Sequence, residues 1–208
     1  MNSNWLRLFL LEWKRLLHSR PAQLAILVSA ASPLAGLFLW RSTSADTMLS
    51  RYLADPATAA GTAGGIAFGL LTILELDRPS SSRAGLLTDS VVPPHTMALV
   101  RLPALLLAAA LITGLTMLLW FPILRSLIGP VFPCTDYILA FLIFMGLALP
   151  LGILAAASAY QAAARTDLAL AAFLAFAFLS LTVWADNWQL CWLNPCVWAL
   201  SDDFTNFR

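Results

Sequence analysis

Residues 4–20, NWLRLFLLEWKRLLHSR, read as an amphipathic basic helix, and a long apolar stretch opens directly after it at Pro21. A chain that first lies on a bilayer and then enters it suggests a polytopic membrane protein docked to something on its cytoplasmic side. At helical spacing, Trp5, Leu6, Phe9, Leu10, Trp13, Leu16 and Leu17 fall on one broad face. Arg7, Lys14, Arg15 and His18 fall on the opposite one, with Leu8 and Leu11 as exceptions. Asn4 or Ser3 can cap the start, and Pro21 marks the break into the apolar stretch. Such a helix lies in the headgroup plane, with Trp at the interface and cations towards anionic lipid. Two readings stand side by side: a plain anchor and topology signal, or an elbow that also touches a cytoplasmic partner.

Much of the rest of the chain has to be solvated by lipid. It is 60% hydrophobic and 11% charged, with a mean hydropathy of +0.80, whereas ordinary soluble domains carry about 25% charged residues. Helices of roughly 17–25 apolar residues cross a bilayer. Five such stretches are present, at about 22–40, 57–76, 97–124, 137–163 and 168–185. The expected fold is therefore an all-α polytopic membrane protein forming one transmembrane domain over 1–208, with an interfacial helix and five spans. With the N-terminus inside, the inner flanks hold Arg7, Lys14, Arg15, Arg20, Arg78, Arg83, Arg101 and Arg165. The outer flanks hold Arg41, Arg51, Arg125 and Arg208, so the bias of basic residues favours a cytoplasmic N-terminus. Residues 186–208 then lie outside the cell. No small-residue cleavage site closes the first apolar stretch before Arg41, so it is expected to stay in place as a span.

The segment 75–101, ELDRPSSSRAGLLTDSVVPPHTMALVR, is the main cytoplasmic feature. Acid and base alternate at Glu75, Asp77, Arg78, Arg83 and Asp89, and proline breaks fall at Pro79 and at Pro93–Pro94. Ser80, Ser81 or Ser82 can cap a short helix over 82–90 that presents Leu86 and Leu87 beside Arg83 and Asp89. This is the build of a peg for a groove in another protein; the alternative is an ordinary solvated loop.

Taken together, LEWKRLLHSRPAQL, the second span ending in ELDR, and GLLTDSVVPPHTMALVRLPALLL resemble an ABC transporter permease of the type-2 exporter kind. The segment LNPCVWALSDDF at 193–204 is similar to the Leu-Asn-Pro aromatic stretch that such permeases carry before their last span. The haem-exporter membrane subunits belong to the same broad group and are also short. The resemblance implies an inner (plasma) membrane protein in which two permease subunits, identical or different, pair with two ATPase subunits. Residues 78–95 would be the coupling loop, with Arg78, Arg83, Leu86, Leu87 and Asp89 facing the ATPase and Glu12, Lys14 and Arg15 of the elbow bracing it. The family usually has six spans. Five are legible here, and NWQLCWLNPCVWAL is too polar and Pro-broken for a standard sixth. No GxxxxGK[ST] phosphate loop is present, so ATP and Mg²⁺ would be handled by the partner, and this chain is expected to be neither an enzyme nor a cofactor binder.

Other constellations are weaker. Gly61, Gly65 and Gly69 recur every fourth residue in the second span, as do Ala155, Ala159 and Ala163 in the fourth. Small residues on one face let helix backbones approach, either inside one subunit or between two. Pro33, Pro103, Pro122 and Pro150 are expected to kink their spans. Arg101 and Glu75 sit near span ends, where their charges can snorkel to water. A chain of intramembrane acids, as an ion-driven pump requires, is missing. Cys134, Cys191 and Cys196 all fall in outer segments, where a disulfide is permitted. Cys191–Cys196 would staple the Trp-rich tail, or Cys134 would pair instead; spacing does not decide between them. No charge run suits nucleic-acid binding. Besides the exporter subunit, two other classes remain: a non-transporting membrane assembly or immunity factor, and an intramembrane enzyme, for which the spans supply almost no polar catalytic groups.

Overall fold

A computed structural model describes residues 3–38, 50–81, 94–130, 132–163 and 165–182. Among them the chain is helical with no strand. The helices are α1 (Ser3–His18), α2 (Arg20–Ala31), α3 (Pro33–Phe38), α4 (Asp55–Ser81), α5 (Pro94–Ile128), α6 (Cys134–Ala163) and α7 (Thr166–Thr182). A π-helical turn, Ser50–Ala54, leads into α4. Four apolar helical stretches are long enough to cross a membrane: Arg20–Phe38, Tyr52–Arg78, Leu99–Ile128 and Cys134–Ala163. Of the expected fifth span, 168–185, residues 183–185 lie outside the described residues, and the rest belongs to the apolar helix α7. The chain is thus compatible with a multi-pass membrane protein.

The corner between α1 and α2 is a single residue. Ser19 has an extended backbone, and its hydroxyl accepts from the Ala22 amide while it donates to the Leu16 carbonyl. That cap, with Pro21 in the first turn of α2, ends α1 and starts α2 while the Leu16 carbonyl keeps a donor.

Helix α4 is the axis of the bundle, with 72% of its most apolar window buried against 39% or less in the other three. It packs along its length on α6. Register follows from close approaches. A methyl group at Gly61 would overlap the Phe144 carbonyl, and one at Gly152 would overlap the Gly65 carbonyl, so α4 and α6 run parallel. Ser29 lies beside Gly64 and Asp55 beside Gly36, so the α2–α3 hairpin arm runs antiparallel to α4. Gly69 receives the Phe173 ring of α7. The glycine stripe read from the sequence is therefore consumed inside one chain. Ala155, Ala159 and Ala163 likewise pack within it, on the cluster of Ile73, Ala156, Ala169 and Phe173.

The prolines behave in two ways. Pro33 divides the first span into α2 and α3, whereas Pro103, Pro122 and Pro150 lie inside continuous helices. A proline removes the donor for the carbonyl four residues earlier, which in a membrane must find another. For Pro33 that carbonyl is Ser29, and Ser32 Oγ donates to it at 2.9 Å. The neighbouring Ala30 carbonyl accepts from Trp120 Nε1 of α5 at 2.8 Å, which ties the break to the next span. At the end of the bundle away from α1, Phe121, Phe132, Tyr137 and Phe141 form an aromatic group of edge-on and tilted ring contacts with centroids 4.9–5.8 Å apart. Tyr137 Oη donates to the Met117 carbonyl at 2.6 Å.

Candidate functional site

The described residues hold one concentrated set of charges inside the bundle, and it lies where α1 crosses the ends of α4 and α5. Arg15 donates through Nε to Glu12 and through Nη2 to Glu75, both at 2.5 Å. Arg101 approaches Glu12 at 3.8 Å and donates to the Glu75 backbone carbonyl at 3.1 Å. Arg78 stands at the edge, 4.0 Å from Glu75. Glu75 is 4% exposed. Glu12 and Arg101 have side-chain exposures of 13% and 11%.

The backbone explains part of this geometry. Pro79 follows Glu75 by four residues, so the Glu75 carbonyl has no helical donor. The Arg101 guanidinium supplies one from α5. Pro79 does not end α4, as the sequence pattern suggested; the helix continues to Ser81. The exposed carbonyl is retained as an acceptor that a neighbouring cation fills.

The charges balance locally. Glu12 and Glu75 face Arg15 and Arg101, and Arg78 adds a cation at the rim. Burial alone would lower the Arg15 pKa; hydrogen bonding and attraction from Glu75, then from Glu12, outweigh it and raise it above the ordinary value. Arg15 therefore stays charged at any pH the protein meets. A cleft of about 10 Å³, lined by Glu12, Arg15, Leu16, Glu75, Arg101, Ala104 and Leu105, opens onto the group. It has room for about one water molecule, and Arg101 Nε is buried there with no protein partner. Paired charges here join three helix ends.

The sequence reading set Glu12 and Arg15 to brace the coupling loop, with Arg15 opposite the apolar face of α1. The structure turns both toward the bundle, where Glu75 and Arg101 offer them opposite charges. The buried side of α1 is accordingly mixed: Leu16 is 3% exposed, with Phe9 and Trp13 packed beside it and Glu12 and Arg15 between. Lys14 is exposed as expected, and so is Arg78 in the last turns of α4. Arg83, Leu86, Leu87 and Asp89, with the proposed short helix around them, lie outside the described residues, as do Cys191, Cys196 and the whole 186–208 segment. Cys134, at the start of α6, is an exposed free thiol.

The sequence reading treated Glu75 and Arg101 as separate snorkelling residues and missed that they meet. A usable signal was present: an acid near the end of one span, a proline four residues on, and a lone Arg early in the next. A second polar contact at the same end, Tyr160 Oη to Asp77 Oδ1 at 3.3 Å, ties α6 to α4.

No family model, curated protein or solved structure matches this chain.

Proposed function

We propose that the chain is the membrane-spanning permease subunit of an ATP-driven ABC exporter of the type-2 kind, in the plasma membrane with its N-terminus in the cytoplasm. In this reading α1 is the elbow helix, and the segment between α4 and α5 docks in a separate ATPase subunit that binds ATP and Mg²⁺. A second permease subunit completes the pathway. The observation that carries the reading is the charge cluster of Glu12, Arg15, Glu75 and Arg101. It joins α1 to the two helix ends that bracket residues 82–93, so a push on that segment would reach α1, α4 and α5 together rather than bend one helix alone. Apolar packing slides under such a push, whereas paired charges in a poorly solvated site resist separation.

The test is purification of the full chain from native membranes in mild detergent, with mass spectrometry of what accompanies it. The expected result is a stoichiometric partner carrying a phosphate-loop ATPase motif. Arg83→Glu with Asp89→Lys should remove that partner while membrane insertion stays intact. Unchanged association after both reversals would refute the coupling role. A preparation with no ATPase, even with a nucleotide analogue present, would favour a non-transporting membrane assembly or immunity factor.

A further inference from the structure

Turning Glu12 inward changes what α1 presents outward. Glu12 is the only acid between Met1 and Arg20, and it is engaged by Arg15 and Arg101. Arg7, Lys14, His18 and Arg20 are all exposed. Among the described residues none of these four forms an ion pair with an acid. Arg7, Leu11, Lys14 and His18 recur at i, i+4, i+7 and i+11, which sets them in one stripe along the helix. Along one side of the stripe run apolar side chains that the bundle leaves uncovered, Leu6 at 55%, Leu10 at 52% and Leu17 at 38% exposed. The outward surface is therefore a cationic stripe interrupted by Leu11, with an apolar margin on one side and no acid of α1 on it.

We infer that this face of α1 is a docking surface for anionic phospholipid, with Arg7 and Lys14 binding headgroup phosphates and Leu6, Leu10 and Leu17 seated among the acyl chains just below. Charge complementarity selects the occupant, because two fixed cations without acidic neighbours attract a polyanionic surface and repel a cationic one. The apolar margin favours lipid over a soluble protein, since it needs a medium other than water, and the corner at Ser19 puts the helix where the apolar α2 begins. The inference does not rest on the exporter reading. It requires only that α1 lie at the bilayer surface.

The experiment uses the purified full chain in phosphatidylcholine bilayers with trace spin-labelled lipid. The fraction of motionally restricted label is compared between phosphatidylglycerol and phosphatidylcholine probes. The wild-type chain should favour the phosphatidylglycerol probe, and the preference should fall as salt is raised. Arg7→Gln with Lys14→Gln should lower it, by up to about fivefold for each charge removed. Arg7→Lys should keep it, because a point charge suffices. Both sites are exposed, so the variants are expected to fold; an unchanged unfolding midpoint checks this. No preference in the wild-type chain would overturn the inference, as would a preference that survives the double substitution. Loss of a co-purifying protein in the double variant, with lipid preference intact, would overturn it in favour of a protein partner.

Discussion

The two ends of this bundle are held by different physics. At the α1 end, three helices meet through Glu12, Arg15, Glu75 and Arg101. At the opposite end, α5 and α6 meet through the rings of Phe121, Phe132, Tyr137 and Phe141, and one phenol satisfies the Met117 carbonyl. Paired charges demand partners and become costly when one is removed. Aromatic packing tolerates loss in proportion to the area and the single hydrogen bond given up. The difference teaches which end is specified by named partners: the charged end ties three helices through ion pairs, while the aromatic end is held by the fit of its rings.

The comparison can be broken most severely at its charged end. Glu75→Gln keeps the shape and removes the acid shared by Arg15 and Arg78, and it should cost about 3 kcal/mol, the size typical of a broken buried pair. Unfolding in mixed micelles, followed by far-UV circular dichroism, measures it. The middle of the bundle comes next. Gly61→Ala places a methyl group where the Phe144 carbonyl stands, and the forced backbone shift should cost about 2 kcal/mol. Crosslinking between cysteines introduced on α4 and α6 should report the separation. At the aromatic end, Tyr137→Phe keeps the ring cluster and deletes the donor to Met117, for an expected loss of about 1 kcal/mol. If it exceeded the Glu75→Gln loss, the contrast between the ends would be wrong. The smallest effect sharpens the role of burial. Arg165 and Asp167 form an ion pair at 2.9 Å with both side chains about two-thirds exposed. Asp167→Asn should leave the unfolding midpoint unchanged within error, because solvent and salt already screen that pair.

Several features were legible without coordinates because they depend on local chemistry. Leu, Ala and Phe in runs of span length identify the long apolar helices, and Pro21 marks a break after α1, which the structure places two residues earlier at Ser19. Small residues every fourth position on α4 point to a tight helix contact. The contact itself was not legible: Gly61 and Gly65 would suit a second subunit as well as α6, and only the register of α4 on α6 decides it. Similarly, a helical wheel assigns Arg15 to a polar face by its angle alone. It has no knowledge of Glu75, sixty positions away, whose charge reverses that assignment.

The division follows from range. Hydropathy, capping and proline chemistry act over a few residues, so the sequence by itself determined that this chain builds long apolar helices, a basic amphipathic helix before them, and a charged connection after the second. Which charges meet depends on how helices cross in three dimensions. Only the tertiary structure decided that Glu12 and Arg15 turn inward, that Arg101 fills the carbonyl Pro79 leaves open, and that the outward face of α1 is left with cations and no acid. In a medium that solvates ions poorly, each of those charges is placed by the nearest opposite one, and nearness there is a property of the fold.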